Sequence, residues 1–150
     1  MILRAIGLAT ASLFLSGIAL ADLEQWKDYD VSDTVLSIST IRVNANMDDA
    51  YLEGLRETWV KSNELAKKLG QITDYRIYRS DLPQSGDFNL VLVVEFAKTA
   101  DLAPNEAKYD AFVKQWTKER LDENQQMAQR DYPAMREITG QYLMREITLK

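Results

Sequence analysis

Polar and apolar residues alternate along 34–43 (TVLSISTIRV), a stretch rich in β-branched side chains, and this predicts a strand. The period then lengthens. Leu52, Leu55, Trp59, Ser62, Ala66 and Leu69 recur at three- and four-residue spacings, which predicts an amphipathic helix running from Asp48 to Leu69 and stopping at Gly70. Asn46 stands where an N-cap belongs, with Asp49 three residues on as in a capping box, and Asp48 and Asp49 put negative charge in the first turn. The outer face carries Glu53, Arg56, Glu57, Lys61, Glu64, Lys67 and Lys68, with favourable pairs at Glu57–Lys61 and Glu64–Lys68.

Alternation returns over 71–79 (QITDYRIYR), and the polar segment 80–87 reads as a surface loop. The strongest strand pattern is 88–96 (FNLVLVVEF). Phe88, Leu90, Leu92, Val94 and Phe96 make one apolar face, and Val91 and Val93 make the other face apolar in part, as in a central strand. These two strands predict a hairpin. Pro104 then opens a second helix with Tyr109, Phe112, Val113 and Trp116 as its buried face. Beyond Leu121 the chain is polar nearly all round, with Met127 the lone large apolar residue, so a weakly packed continuation ending at Tyr132-Pro133 is expected. Residues 136–149 read as a final strand in which Gly140 marks a candidate bulge. Arg136-Glu137-Ile138-Thr139 recurs nine residues later as Arg145-Glu146-Ile147-Thr148. An unbroken strand would turn the two copies to opposite faces, whereas a bulge at Gly140 would restore a common facing; without one the repeat is coincidental.

The order β-α-β-β-α-β predicts an α+β domain of ferredoxin-like type, a four-stranded antiparallel sheet with both helices on one face. Val91 and Val93 would lie on the uncovered face, which calls for a partner.

The ends and the composition narrow the classes further. Within 1–21 one cation, Arg4, precedes an uncharged apolar run that closes on Ala19-Leu20-Ala21, the pattern of a signal peptide cleaved before Asp22. An uncleaved anchor is the other reading, but the run is short and interrupted by Gly7, Ser12, Ser16 and Gly17. The expected organisation is therefore a signal peptide at 1–21, a lead-in segment at 22–33 and one domain at 34–150. Such a protein is exported, periplasmic or extracellular, and has no stable membrane insertion after cleavage. With 150 residues and 46% hydrophobic content the chain can build a real core. It has no cysteine and no histidine, which removes disulfides, thiol nucleophiles and the commonest general base, zinc ligand and haem ligand. A net charge of -5, with no basic cluster free of acids, excludes nucleic acid as a partner.

With its long first helix, its hairpin with an apolar second arm, its aromatic-bearing second helix and its closing strand, the chain resembles the dimeric α+β barrel superfamily. That resemblance implies a homodimer with open sheet faces packed into a barrel. The superfamily includes cofactor-independent quinol monooxygenases, haem-degrading enzymes, muconolactone-type isomerases and stress-responsive barrels. The missing histidine argues against the haem-degrading branch. Cofactor-independent oxidation or isomerisation remains compatible, and no cofactor is called for.

Two groups of residues carry candidate chemistry. Trp59 and Trp116, with Tyr75, either line a pocket that stacks a small aromatic or otherwise hydrophobic molecule or fill the core. Arg76, Tyr78, Asn89, Glu95, Gln141 and Arg145 face away from the helices if the strands are unbroken. They form either a polar patch that orients an anion through Arg76 or Arg145, or cross-strand pairs at a dimer interface. By the same phase Tyr75 and Tyr142 face the helices. The candidate ligand-binding residues are thus Trp59, Tyr75, Arg76, Tyr78 and Trp116. No catalytic residue and no metal site is assigned. A non-catalytic structural or partner-binding module of the cell envelope is the alternative to a small-molecule binder.

Overall fold

A computed structural model of the chain describes residues 22–82 and 86–150, apart from the side chains at 118 and 119. The segment 1–21, read as a signal peptide, lies outside the described residues. Strand β1 (Tyr29–Val31), from the lead-in segment, pairs antiparallel with the last strand, β6 (Ile147–Leu149), as a separate two-stranded ribbon. The main sheet contains β2 (Val35–Val43), β3 (Asp74–Arg79), β4 (Leu90–Phe96) and β5 (Arg136–Met144) in the order β3-β4-β2-β5, with every neighbour antiparallel. Taken with the helices between β2 and β3 and between β4 and β5, this order is the ferredoxin-like α+β topology. The strand with the most apolar pattern, β4, is central, and it pairs with β3 as the expected hairpin.

The first helix follows its apolar stripe, with a local change of winding. Segments α1 (Asp48–Leu55) and α2 (Lys61–Lys68) are joined by a π-helical turn over Arg56–Val60. Trp59's carbonyl there accepts bonds from Ser62 Oγ at 2.9 Å and Asn63 Nδ2 at 2.7 Å, so side chains satisfy a backbone acceptor in the widened turn. The capping box does not form. Asn46 takes φ 64° in the turn that precedes the helix, Met47 N–H bonds the Asn44 carbonyl at 3.0 Å, and Met47 occupies the N-cap without a side-chain bond.

The second helical arm begins two residues later than proline suggested. Asn105 caps α3 (Glu106–Trp116) by accepting from Lys108 N–H at 2.9 Å. Trp116 is buried and Phe112 and Val113 half-buried, but Tyr109 is exposed, contrary to the expected buried face. After Thr117 come α4 (Lys118–Gln126), a second π-helical turn over Met127–Asp131, and α5 (Tyr132–Met135). The continuation is weakly packed, with no buried residue among those described between 117 and 131, but it is fastened at its end: Met127 packs against the core and Tyr132 belongs to it. Pro133 does not end the helix, because it sits in the first turn of α5, where no N–H is needed.

The core joins Ile41, Val43, Leu90 and Leu92 of the sheet to Tyr51, Leu55 and Tyr132 of the helices. Tyr132 meets Tyr51 edge to face, with centroids 5.2 Å apart and planes at 73°. A β-carbon on Gly54 would stand 2.9 Å from Tyr132 Cε1, so only glycine lets the two helical arms approach this closely.

Strand β5 carries the bulge anticipated at Gly140. Pairing runs Thr40↔Gly140 and then Ile41↔Ile138, leaving Thr139 as the extra residue, whose Oγ1 bonds Thr40 Oγ1 at 2.9 Å. The bulge reverses the phase of everything after it. Gln141 and Leu143 consequently share the helix side with Ser39, while Tyr142 pairs with Ile38 on the open side, the reverse of the unbroken-strand reading. The final segment is two strands rather than one, so the copies of the Arg-Glu-Ile-Thr repeat belong to different sheets.

Replacing Gly54 with Ala is expected to destabilise the fold by roughly 1–3 kcal/mol through overpacking against Tyr132, read as a lower urea midpoint with an unchanged slope.

Candidate functional site

A cavity of about 310 Å³ opens between the helix 48–68, the helix 118–135 and the sheet. Small-molecule pockets run from roughly 300 to 1,000 Å³, so it stands at the lower end of that range. Tyr51, Leu55 and Trp59 reach it from one arm, Tyr132 from the other, and Ile41 and Arg136 from the sheet. Ser39, Thr58, Ser62 and Asn124 add polar groups to a wall that, apart from Arg136, is otherwise apolar and aromatic. Both π-helical turns contribute, the first through Thr58 and Trp59 and the second through Ala128, and such turns recur at functional sites. A further space of about 240 Å³, lined by Ser37, Ser39 and Gln141 among others, adjoins it through the shared Ser39.

Hydroxyl chemistry inside the cavity has a definite direction. Thr58 Oγ1 donates to the Gly54 carbonyl at 2.9 Å and lies 2.6 Å from the Tyr132 hydroxyl. A threonine hydroxyl has one proton, already committed, so Tyr132 donates to Thr58. Burial pushes the Tyr132 hydroxyl above the ordinary phenol value of 10.0, against the opposing pull of Thr58 and Arg136. Tyr51 is raised for the same first reason, with the charge and hydrogen bond of Arg136 drawing it back. Arg136 lies over both rings, 6.0 Å from the Tyr51 centroid and 5.4 Å from that of Tyr132.

The five residues singled out from the sequence are not brought to one place. Trp59 lines the cavity, and Tyr75 supports it from β3 with ring centroids 5.5 Å apart at 84°. Trp116 does not line the cavity: it is buried against Phe112 under Arg120 and borders a smaller, charged space of about 150 Å³ that adjoins the cavity at Thr58 and Asn124. Arg76 and Tyr78 lie on the opposite, open face of the sheet, because they pair with Val93 and Val91. There Arg76 bonds Asp74 at 2.8 Å and Glu95 at 3.5 Å, its guanidinium held more firmly protonated by Asp74 first. Of these two bonds, the one to Glu95 crosses from β3 to β4. Asn89 is used structurally, exchanging bonds with the Val43 backbone at 2.8 and 3.1 Å. Arg145 lies beyond the end of β5 and bonds Thr99. Val93, at 6% exposure, is already covered within the chain, so the exposed apolar residues of the open face are Tyr78, Tyr142 and Met144.

Tyr51, Tyr132 and Arg136 were not among the sequence candidates. Tyr51 continues the helix stripe one turn before Leu55 and was readable on spacing alone. Arg136 alternates with Ile138 ahead of the bulge and so faces the helices, whereas Tyr132 carried no periodic signal in its polar surroundings. Among the described residues no group of acids could hold a metal ion, and no helix is long and apolar enough to cross a membrane.

Neither a comparison with protein families nor one with curated proteins finds a match. Among solved structures the chain is similar to HapK from Hahella chejuensis, at 15% identity over 75% of this chain and 91% of that one, with a TM-score of 0.44. A dimeric ferredoxin-like protein of unknown function from Thermobifida fusca matches at 10% identity over 78% and 92%, with a TM-score of 0.37. SnoaB, a cofactor-independent oxygenase from Streptomyces nogalater, matches at 8% identity over 79% and 94%, with a TM-score of 0.38. The likeness is one of fold. Two of the neighbours, the Thermobifida fusca protein and one from Bacteroides fragilis, are described as dimeric, with a ferredoxin-like fold and unknown function.

Because Tyr51 and Tyr132 are raised above 10.0, the folded state holds their protons more tightly than the unfolded chain does. Their contribution is complete below that value and is lost as pH climbs through the raised ones. Denaturation across alkaline pH should show this fall, and Tyr132→Phe should make it shallower while costing about 1 kcal/mol at neutral pH.

Proposed function

We propose that this protein binds a small aromatic or otherwise hydrophobic molecule in the cavity between its helices and sheet, as an exported homodimer. The observation that carries the reading is the cavity itself: the core leaves about 310 Å³ open where the rings of Tyr51, Trp59 and Tyr132 converge beside hydroxyl and amide groups. A ring stacked on Trp59 would meet apolar surface on several sides, and Thr58, Ser62 and Asn124 supply orienting bonds. The chemistry within reach is phenolic, hydroxyl and guanidinium, which suits an oxidation or isomerisation needing neither histidine nor cofactor.

Dimerisation through the open sheet face follows from what that face exposes. On it Asp74, Arg76 and Glu95 pair within the chain, while Tyr78, Tyr142 and Met144 stay exposed. A second copy presenting the same surface would cover them isologously. One observation favours the partner-binding alternative: Trp26, Ile147 and Leu149 on or beside the terminal ribbon are also exposed.

Native mass spectrometry of the protein recovered from the compartment to which its cells export it is expected to show a dimer of protomers beginning at Asp22 and carrying extra mass. An empty dimer would move the reading to the partner-binding role, and a monomer retaining Met1 would overturn both export and assembly. Tyr142→Arg should give monomers in size-exclusion chromatography. Trp59→Ala should weaken binding of an aromatic probe about tenfold with the fold retained by circular dichroism.

A further inference from the structure

Among the described residues, the wall of the cavity contains one charged side chain, Arg136, and no carboxylate. The chain as a whole has 23 acidic residues against 18 basic ones. Arg42, Arg56, Arg76 and Arg79 each have an Asp or Glu partner. The acid next to Arg136 in sequence, Glu137, pairs with Arg42 in the sheet and so faces the open side, away from the cavity. Arg136 instead lies over the rings of Tyr51 and Tyr132, and its Nε is shut off from solvent with no hydrogen-bond acceptor.

Two neutral phenols orient a guanidinium without cancelling its charge. A half-buried cation with no carboxylate in the wall beside it gains most from an oxyanion entering the adjoining space, and a guanidinium matches a carboxylate with two parallel bonds. The cavity supplies the rest of the complement. Arg136 pairs with Val43 at the end of β2 near Tyr51, whereas Trp59 lies two helical turns further along the first helix. A charge held at Arg136 therefore projects an attached ring toward Trp59.

We propose that Arg136 is the anion-recognising group of this cavity and that the ligand is a small aromatic carboxylate. The inference rests on the cavity being a binding site, as proposed above, and adds the charge and orientation of what it holds.

Naphthoate and its neutral carboxamide have nearly the same shape and differ in charge, so titrating both by calorimetry separates the two claims. The expected result is naphthoate binding at least about tenfold more tightly than the carboxamide, a preference that Arg136→Gln abolishes and Arg136→Lys retains in part. Should Arg136→Gln fail to fold by circular dichroism, the ratio for the unaltered protein together with Arg136→Lys decides. Equal binding of the two probes, or a preference that survives undiminished in Arg136→Gln or Arg136→Lys, overturns the role of Arg136 and leaves the cavity reading standing. Binding of neither probe overturns both.

Discussion

Tyr132 reaches the first helix because Gly54 has no β-carbon to stop it. That approach puts its hydroxyl on Thr58, its ring edge on Tyr51 and its face beneath Arg136. Each contact is modest alone, about 1 kcal/mol for a neutral hydrogen bond or a ring pair. Together they set the separation of two helical arms and hence the volume left between them. The cavity is the gap that remains once helix 118–135 is held at this point and cannot settle further onto β5, where Ile138 and Leu143 stay exposed.

Much of the architecture could be read from alternation and helical spacing, because those patterns follow from which side of an element meets the core. The strand at 34–43, the long first helix and the hairpin with its central apolar arm all follow from that logic. The features that shape the site do not. A π-helical turn adds a residue's worth of rotation without altering composition, so Thr58 and Trp59 gave no sign of it. The bulge had a cue in Gly140, but its effect on phase depended on whether the strand was broken, and Tyr142 and Gln141 exchanged faces because it was. Tyr132 was obscured by neighbours such as Gln129, Arg130 and Asp131, whose polarity described the outside of a helix whose inner face needs only Met127 and Tyr132.

The same logic explains why the site residues read from sequence were divided. Tyr75 and Arg76 are adjacent, so the pleat sends them to opposite faces of the sheet and they cannot serve one pocket. The two faces differ in kind. On the open side Asp74, Arg76 and Glu95 pair within the chain, leaving aromatic and sulfur-bearing surface to be covered. On the helix side rings and aliphatic groups dominate, and a single cation is left among them.

The ribbon made by β1 and β6 bears on the order in which the molecule is completed. Tyr29 pairs with Leu149 and Val31 with Ile147, Ser32 N–H bonds the Glu146 carbonyl at 2.9 Å, and Lys150 N–H bonds the Asp28 carbonyl at 2.9 Å. These pairs close nearly the whole domain into one loop, the most non-local contact in it and the most costly in chain entropy. They cannot form until residues 147–149 have been made. Whatever the β-sheet and helices accomplish on a growing chain, β1 has no partner until β6 has been made, so this seam cannot help the earlier elements to fold.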